Sequence, residues 1–374
     1  MPAPDLLGAP LRILMLSPQP WTGLQVSKHH YARELAALGH DVIFANPPSG
    51  DGPIRLTPSD TPNITLLDHP RMPLARAKYR AKWLFIAAAR VRARAIKKAV
   101  GPIDLLWDFD NARQFADHRP FRAPASMLHV VDRLDPGDAM HRHADLILGV
   151  DASIVGDIAP EGRPSHVVGH GLSPLFAEAA RLRLAAPRVR AGDAPVVVGF
   201  IGNLAQPAMD RERVAALVAA HPDCRFRFIG PVAGETPEVR AWVDDLTGRP
   251  NVEMAGLLNG DALIAATGDV DIWLLPYDVA RDRNRGVNSH KLLEYFALGG
   301  EVVSSAIAAQ AGAPGIFMAA PDAPDELPAQ LGAAITAVRA GRDTGWRARA
   351  ELALANSYRA NLEHIAAHLK DSMT

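Results

Sequence analysis

The sequence predicts an α/β protein with two Rossmann-like domains, each built on a parallel sheet that is covered by helices. Two series of short apolar runs support this prediction, because such runs are typical of strands that are buried on both faces. The first series begins at residues 11–17, which are followed by a loop, a helix near residues 29–38 and a second run at residues 40–45. The second series begins at residues 196–201.

Further strands are expected in both series. The runs that predict them are residues 103–107, 126–131, 144–150, 225–229, 251–254, 271–275 and 301–304. Between the two series, residues 173–195 are rich in Ala, Arg and Pro and show no strand pattern, so we place a linker there. We therefore expect an N-terminal domain at 1–172, this linker, a C-terminal domain at 196–343 and a long terminal helix at 344–374.

The composition argues against several classes of protein. With 40 Lys and Arg against 41 Asp and Glu, the chain lacks the charge excess that is typical of nucleic-acid binding. Its one cysteine, Cys224, excludes an internal disulfide and a cysteine-rich metal site. Neither first strand is followed by G-x-G-x-x-G, which argues against NAD-dependent chemistry. No P-loop occurs either. Because we find no signal-peptide pattern and no apolar run long enough to cross a membrane, we expect a cytoplasmic protein.

Residues 286–304 carry the most informative pattern in the chain: a loop, a helix, a glycine stop and a strand. Asn288 or Ser289 can cap the helix. Lys291 lies in its first turn, and Glu294 follows one turn later on the same face. A helix N-terminus with an added lysine attracts phosphate, and a carboxylate suits ribose hydroxyls, so the segment predicts a sugar-nucleotide site. The alternative is an ordinary amphipathic helix with a solvated Lys–Glu pair.

Four stretches together carry a family resemblance. They are MLHVVDRL at 127–134, HVVGHGL at 166–172, LPY at 275–277 and SHKLLEY at 289–295. Their order and spacing resemble GT-B glycosyltransferases, in particular the group of the glucuronosyltransferase of xanthan assembly. The resemblance covers nearly the whole chain. It implies the GT-B fold, with two Rossmann-like domains facing a cleft and a C-terminal helix that crosses back, and a UDP-sugar donor without a further cofactor.

The resemblance also implies roles for single residues. Asp132 would be the base that takes the proton of the acceptor hydroxyl, with Asp135 as the second candidate. A turn or helix-cap aspartate is the alternative for both. The residues expected to bind the donor are Lys291, Glu294, Ser289, Asn288, Tyr277, His170, Arg285, Leu257, Leu258 and Asn203.

The chain departs from the family pattern at several positions. Gly286 stands where many retaining GT-B enzymes carry a glutamate, and Asn203 without a nearby lysine stands where they use Arg and Lys. Glu294 replaces a glutamine, and Leu257 replaces a glutamate, of the xanthan group. These differences favour an inverting reaction and leave the donor sugar open, with UDP-glucuronate as the leading candidate. One arginine of positions 281, 283 and 285 would then bind the uronic carboxylate, and solvated loop arginines are the alternative.

The triplet Asp108-Phe109-Asp110 is similar to the D-x-D metal motif of another glycosyltransferase fold. Two carboxylates at a strand end can hold a divalent ion. The triplet lies in the first domain, however, away from the expected diphosphate. We therefore predict structural or acceptor-binding use and no metal site.

Residues 71–98 form a basic segment that contains ten Lys or Arg and no acidic residue, interleaved with Trp83 and other apolar residues. This composition is typical of a basic amphipathic helix on anionic lipid. The alternative is a solvated basic face whose apolar side lies in the core. A nucleic-acid patch is disfavoured, because no binding motif accompanies the segment.

These observations predict a glycosyltransferase of bacterial exopolysaccharide biosynthesis that is peripheral on the inner face of the cell membrane. Its partners would be a UDP-sugar, a polyprenyl-diphosphate-linked glycan acceptor and the anionic membrane surface. Two other classes remain open: a GT-B sugar-nucleotide epimerase and a non-catalytic nucleotide-sugar-binding protein.

Overall fold

The computed structural model divides the chain into two compact units. Unit 1 comprises Met1–His170 and Tyr358–Thr374, and unit 2 comprises Gly171–Ser357. The structure describes residues 4–23, 25–73, 77–110, 114–115, 117–132, 143–159, 162–192, 194–234, 236–282, 286, 289–342 and 345–373, without the side chains of residues 78 and 79.

The strands form one sheet in each unit. In chain order they are β1 (Arg12–Leu16), β2 (Asp41–Ala45), β3 (Arg55–Pro58), β4 (Ile64–Asp68), β5 (Leu105–Asp108), β6 (Ala125–Val130), β7 (Leu146–Gly149), β8 (Ser165–Val167), β9 (Val196–Ile201), β10 (Cys224–Ile229), β11 (Val252–Gly256), β12 (Ile272–Leu275), β13 (Glu301–Ser304) and β14 (Phe317–Met318). Unit 1 has the order β3-β4-β2-β1-β5-β6-β7-β8, and unit 2 has the order β11-β10-β9-β12-β13-β14. Only the β3–β4 pair is antiparallel among the described strand pairs, so the predicted parallel α/β architecture is confirmed.

Helices connect the strands. In chain order they are α1 (Ser27–Ala37), α2 (Ala77–Arg80), α3 (Lys82–Val100), α4 (Ala152–Ile158), α5 (Pro174–Ala185), α6 (Arg211–Ala220), α7 (Pro237–Thr247), α8 (Gly260–Thr267), α9 (His290–Leu298), α10 (Leu327–Arg339), α11 (Trp346–Ala355) and α12 (Tyr358–Ser372). None of the described helices is long and apolar enough to cross a membrane.

The last helix, α12, belongs to unit 1 although all of unit 2 precedes it in the chain. Its Leu362 and Leu369 share an apolar core with Tyr31 of α1. Asn361 adds polar contacts, because its amide donates to the Tyr31 hydroxyl at 3.2 Å and to the Gly169 carbonyl at 3.0 Å. The predicted return of the C-terminal helix to the first part of the chain is therefore confirmed.

The single long helix predicted for the C-terminus is wrong, because α11 and α12 are separate. The break lies at Asn356 and Ser357, two residues whose side chains compete with helical hydrogen bonding. The Leu172 N–H donates to the Asn356 carbonyl at 2.8 Å, which takes that carbonyl away from a continuing helix. The Asn356 amide in turn donates to the Leu352 carbonyl at 2.8 Å and closes the end of α11.

The segment predicted as a linker contains α5. This helix begins with Pro174 after Ser173, the arrangement in which a proline at the first helical position is favourable. Its Phe176, Ala177 and Ala180 are buried in the core of unit 2. The Ala and Arg content of residues 173–195 therefore reflects a helix as well as a loop.

We expect unit 1 to lose stability in mild acid, because burial lowers the pKa of several of its histidines. The pKa is about 4 for His30, His69 and His170 and about 3 for His129. The unfolded chain binds these protons near pH 6.5, so stability falls as the pH drops from 6.5 towards 4, by about 1.4 kcal/mol per histidine and pH unit.

Guanidinium unfolding of unit 1 between pH 7 and pH 5, followed by hydrogen exchange of its peptides, measures this effect. The variant His129→Leu should show a smaller loss over the same interval. Equal stability of unit 1 at both pH values would contradict the prediction.

Candidate functional site

Three neighbouring strands of unit 2 end in glycines with positive φ: Gly202 after β9, Gly230 after β10 and Gly256 at the end of β11. A Cβ on Gly230 would lie 2.1 Å from the Gly202 carbonyl oxygen. A Cβ on Gly202 would lie 2.6 Å from Lys291 Nζ. Only glycine allows these close approaches. At the carboxyl edge of the sheet the backbone next to Lys291 is therefore not covered by side chains of these three residues.

Lys291 and Glu294 of α9 lie at this edge, and neither side chain is exposed. Lys291 Nζ lies 6.0 Å from the ring centre of Phe200. Burial lowers the pKa of Lys291, while Glu294 acts in the opposite direction. Burial raises the pKa of Glu294 to about 7, opposed by Lys291. The alternative of a solvated Lys–Glu pair is therefore wrong, since the pair is partly withdrawn from water beside the strand ends.

Tyr295 and Trp273 fix the position of α9. The Tyr295 hydroxyl accepts a hydrogen bond from the Ile201 N–H at 3.1 Å, which ties the helix to the end of β9. The Tyr295 ring stacks on Trp273, with 5.0 Å between ring centres and 15° between planes. Trp273 Nε1 donates to the Gly299 carbonyl at 2.9 Å, just after the helix ends. These buried contacts hold Lys291 and Glu294 on the side of α9 that faces the strand ends.

The structure gives Asn203 a bridging role between two loops. Its Oδ1 accepts hydrogen bonds from the N–H groups of Ala205 and Ala233, at 3.0 and 3.1 Å. Its Nδ2 donates to the Ala233 carbonyl at 2.9 Å. The side chain therefore joins the loop after β9 to the loop after β10, which shapes the edge near Lys291.

Tyr277 lies close to Glu294. Burial raises the pKa of the Tyr277 hydroxyl, a hydrogen bond with Gln206 opposes the shift, and the carboxylates of Asp282 and Glu294 add to it. The Tyr277 N–H donates to Ser305 Oγ at 2.9 Å, which anchors this loop to the end of β13. The structure thus brings Tyr277 to the same edge as the Lys291–Glu294 pair.

The other predicted donor residues of unit 2 differ in environment. Ser289 is buried at the N-cap position of α9, but its side chain makes no capping hydrogen bond. Leu257 is 64% exposed and Leu258 is half-buried, directly after β11. Arg281 is exposed and its Nε pairs with Asp278 at 3.0 Å, as in a solvated loop. Asn288, Arg283 and Arg285 lie outside the described residues.

In unit 1, Asp132 follows β6 in a cluster of polar groups that also contains Lys28, Asp110 and His170, which we call the strand-end cluster. Lys28, the second residue of α1, is 2% exposed and donates to Gln19 Oε1. Burial lowers the pKa of Lys28 to about 8, opposed by Asp132 and Asp110. Burial lowers the pKa of His170 to about 4, opposed by Asp132.

This cluster adds one residue, Lys28, to those predicted from the sequence. His170, which stays a predicted donor residue, lies in unit 1 with Asp132. Lys28 was not predicted, because a lysine in a loop-to-helix turn has no distinctive local pattern. Asp135, the second candidate for the base, lies outside the described residues.

Asp108 has a structural role. It is fully buried, its Oδ2 lies 2.8 Å from His118 Nε2, and its Oδ1 accepts the Asp110 N–H at 2.7 Å. Both oxygens are thus engaged, in agreement with the structural use expected for the first residue of the triplet. Phe109 packs in an aromatic core that includes His129, with 5.0 Å between ring centres.

Among the described residues, one group of potential metal ligands comes together at His221, Asp223 and Cys224. It lies at the beginning of β10, at the opposite end of the strand from Lys291. Asp223 already pairs with Arg339, whose Nη2 also lies 4.0 Å from Cys224 Sγ. A guanidinium in contact with two of the three groups opposes a cation there, so we assign no metal to this group.

Solved structures of similar fold are known. A UDP-forming α,α-trehalose-phosphate synthase from Burkholderia xenovorans is 14% identical, with a TM-score of 0.68 over 97% of this chain and 100% of that chain. A trehalose-6-phosphate structure from E. coli bound with UDP-2-fluoro-glucose is 14% identical, with a TM-score of 0.69 over 96% and 99%. Sucrose-phosphate synthase from Thermosynechococcus elongatus is 14% identical, with a TM-score of 0.68 over 96% and 98%.

No family model matches the chain, and no curated protein matches its sequence. Identities as low as these establish the fold alone. The narrower likeness to the xanthan glucuronosyltransferase group stays a prediction. With two parallel-dominated sheets and these structural neighbours, the chain has the fold of GT-B glycosyltransferases.

Proposed function

We propose that this chain is a glycosyltransferase that moves a sugar from a UDP donor to an acceptor hydroxyl. The observation that carries the proposal is the Lys291–Glu294 pair, held half-buried at the glycine-lined strand ends of unit 2. A lysine at a helix N-terminus supplies positive charge for a diphosphate leaving group. Glu294 supplies hydrogen-bond acceptors for ribose hydroxyls. The similar structures include a UDP-forming synthase and a protein bound with a UDP-sugar analogue, which supports a UDP donor.

Asp132 is our candidate for the base. An inverting transfer needs a group that takes the proton of the acceptor hydroxyl while the oxygen attacks the anomeric carbon. Asp132 lies at the carboxyl edge of a parallel sheet, the edge at which ligands of such sheets bind. Lys28 and His170 lie with it in the strand-end cluster.

Gly286 supports an inverting reaction. The residue is buried with φ of 64°, and a Cβ there would lie 2.5 Å from the Ala306 carbonyl oxygen. A glutamate of the kind that many retaining GT-B enzymes carry has no room at this position. The anomeric configuration of the product, read by NMR, distinguishes inversion from retention.

The finer identity of the substrates rests on the resemblance. It supports UDP-glucuronate as donor and a polyprenyl-diphosphate-linked oligosaccharide as acceptor. Arg281 pairs with Asp278, and one arginine of positions 281, 283 and 285 is our candidate for the uronic carboxylate.

A donor screen tests the proposal. We expect UDP and UDP-glucuronate to raise the melting temperature of the purified chain, because a ligand that binds only the folded state stabilises it. UDP-glucose is compared with UDP-glucuronate to measure the preference for the sugar. ADP is compared with UDP to measure the preference for the nucleotide base. Release of UDP in the presence of an acceptor separates a transferase from an epimerase and from a non-catalytic binding protein. No thermal shift with any UDP compound would contradict the proposal.

We further propose that α3 attaches the protein to anionic membrane. One side of the helix is in the core, through Phe85, Ala89, Ala93, Ile96 and Val100. The opposite side carries Trp83 and Val91, which are 71% and 64% exposed, with exposed Arg94 and Lys98 on the same face. An exposed tryptophan beside basic residues suits a lipid interface.

Other parts of the basic segment have protein partners. Arg90 Nε pairs with Asp117 at 2.8 Å, and Lys97 Nζ donates to the Gly101 carbonyl at 2.6 Å. The apolar side of the segment therefore lies in the core, as the alternative expected, and the narrower exposed face is the one that we propose for lipid.

The double variant Arg94→Glu/Lys98→Glu should bind anionic vesicles at least about 30-fold more weakly, since each basic residue near such a surface contributes roughly 1 kcal/mol. Sedimentation with phosphatidylglycerol vesicles measures the loss, and the charge-matched variant Arg55→Glu/Arg342→Glu is the control. Equal vesicle binding by both variants, or no vesicle binding by the wild type, would contradict the membrane proposal.

A further inference from the structure

The loop that follows β9 is joined to the loop that follows β12 at the carboxyl edge of unit 2. Met209 and Tyr277 form an antiparallel bridge between the two loops. The Asp210 N–H also donates to the Pro276 carbonyl at 2.9 Å. This pairing brings the side chain of Gln206 to the Tyr277 hydroxyl, and so to the edge that carries the proposed donor site.

Two buried nitrogen atoms, one at the start of α6 and one in the loop before it, have no hydrogen-bond partner among the described residues. They are Arg211 Nε and Gln206 Nε2. Native proteins rarely leave a buried donor unpaired, because the loss of its contacts with water is then not compensated. Both atoms are N–H donors, so the missing partner carries hydrogen-bond acceptors.

The half-buried Arg211 is held in place by its own loop. Its Nη2 donates to the carbonyls of Ala205 and Gln206, at 3.1 and 3.0 Å. Its guanidinium carbon lies 5.9 Å from the ring centre of Trp242, whose Nε1 donates to the Arg211 carbonyl at 3.0 Å. Arg211 Nη1 is not buried and has no hydrogen-bond partner among the described residues either. The guanidinium is therefore fixed in position while part of its donor set stays available to a ligand.

The positive charge of Arg211 is not neutralised by an ion pair with any described carboxylate. Burial lowers the pKa of Arg211, and the neighbouring charge of Arg281 acts in the same direction. The two nearest acidic residues of the paired loops have other partners, because Asp210 pairs with Arg213 at 2.8 Å and Asp278 pairs with Arg281 at 3.0 Å. A fixed cation beside a second cation favours an anionic ligand.

An ionised carboxylate fits these groups better than a sugar hydroxyl does. It presents acceptors only, whereas a hydroxyl also brings a hydrogen that needs an acceptor. It also pairs with a guanidinium through charge-assisted hydrogen bonds. We propose that Arg211 and Gln206 are specificity-determining residues that bind a carboxylate on the sugar of the donor, so that a uronic-acid donor is preferred to its neutral counterpart. This inference rests on the proposed function, and it adds two side chains outside the loop of residues 281–285 to the recognition of the carboxylate.

Calorimetric titration with UDP, UDP-glucose and UDP-glucuronate tests the inference. We expect the wild type to bind UDP-glucuronate more tightly than UDP-glucose, and this preference to fall about tenfold or more in Arg211→Met. Gln206→Glu should reduce the preference as well, because it places a negative charge beside the carboxylate. Both variants should bind UDP like the wild type. The control is Arg249→Met, since the half-buried Arg249 also donates to a loop-side carbonyl, that of Ala215 at 2.8 Å, but lies at the opposite edge of the sheet.

The outcomes separate this inference from the proposed function. If the wild type binds UDP but shows no preference for UDP-glucuronate, or if both variants keep that preference, the inference is overturned and the donor proposal stands. An equal loss of UDP and UDP-glucuronate affinity in both variants would assign the two residues to the diphosphate or to the loop itself, and would also overturn the inference. If no UDP compound binds the wild type, the proposed function falls, and the inference falls with it.

Discussion

Replacement of Asp132 by asparagine is expected to slow sugar transfer by about 10²–10⁴-fold, the usual cost of removing a general base. The amide is nearly isosteric with the carboxylate, so the fold and the binding of UDP should be retained. It cannot accept the proton of the acceptor hydroxyl. Initial rates of UDP release, measured beside UDP affinity by calorimetry, separate a loss of chemistry from a loss of binding.

Two other aspartates serve as controls for this experiment. Asp108→Asn should act mainly on stability, because the Asp108 carboxylate holds His118 and the Asp110 N–H. Asp135→Asn tests the second candidate for the base. If Asp132→Asn transfers sugar at a near-normal rate and Asp135→Asn loses transfer, the base is Asp135. That result would also contradict the resemblance at the end of β6.

Replacement of Lys291 by methionine should weaken UDP binding by about 1.5–3 kcal/mol, or roughly 10- to 150-fold, the range for a hydrogen bond to a charged group. Methionine keeps the buried aliphatic volume beside Gly202 and Phe200 but removes the charge. The pKa of Glu294, already near 7, should rise further once Lys291 no longer opposes its burial. Glu294 can then become neutral, so the variant should fold.

Uridine is the matched ligand for this variant, because it lacks the diphosphate. Its affinity should be the same for Lys291→Met and the wild type, while Glu294→Gln should weaken UDP and uridine alike if Glu294 contacts the ribose. Unchanged UDP affinity in Lys291→Met would remove the lysine from the donor site. An equal loss for UDP and uridine would indicate a general disturbance of α9.

The sequence was informative where structure is local. The loop, helix, glycine and strand of residues 286–304 predicted α9 and β13, since capping, amphipathic spacing and a glycine stop act within a few residues. Buried parallel strands were predicted because their sequence is continuously apolar. β3, β4, β8 and β14 were missed, because they are short and most of their residues are exposed or only partly buried. α5 was missed because its Ala- and Arg-rich sequence has no clear apolar face.

The strand-end cluster could not be predicted from local pattern. Lys28 and Asp132 are more than a hundred positions apart in the sequence, and they come near each other because β5 alone separates β1 from β6 in the sheet. The break between α11 and α12 depends on the hydrogen bond from Leu172 to Asn356, a partner from a distant part of the chain.

The discontinuous make-up of unit 1 has a consequence for biosynthesis. Tyr31 and other apolar residues of α1 are covered by α12, which leaves the ribosome only after every residue of unit 2. Unit 2 is continuous in sequence and can reach its native state first. Unit 1 cannot complete its core until α12 has been synthesised. A released chain that ends before residue 358 should thus hold a protease-resistant unit 2 beside an incompletely protected N-terminal part, the reverse of the usual vectorial order. A fragment of residues 1–170 expressed alone would carry the same open core, and joining residues 358–374 to it would close that core.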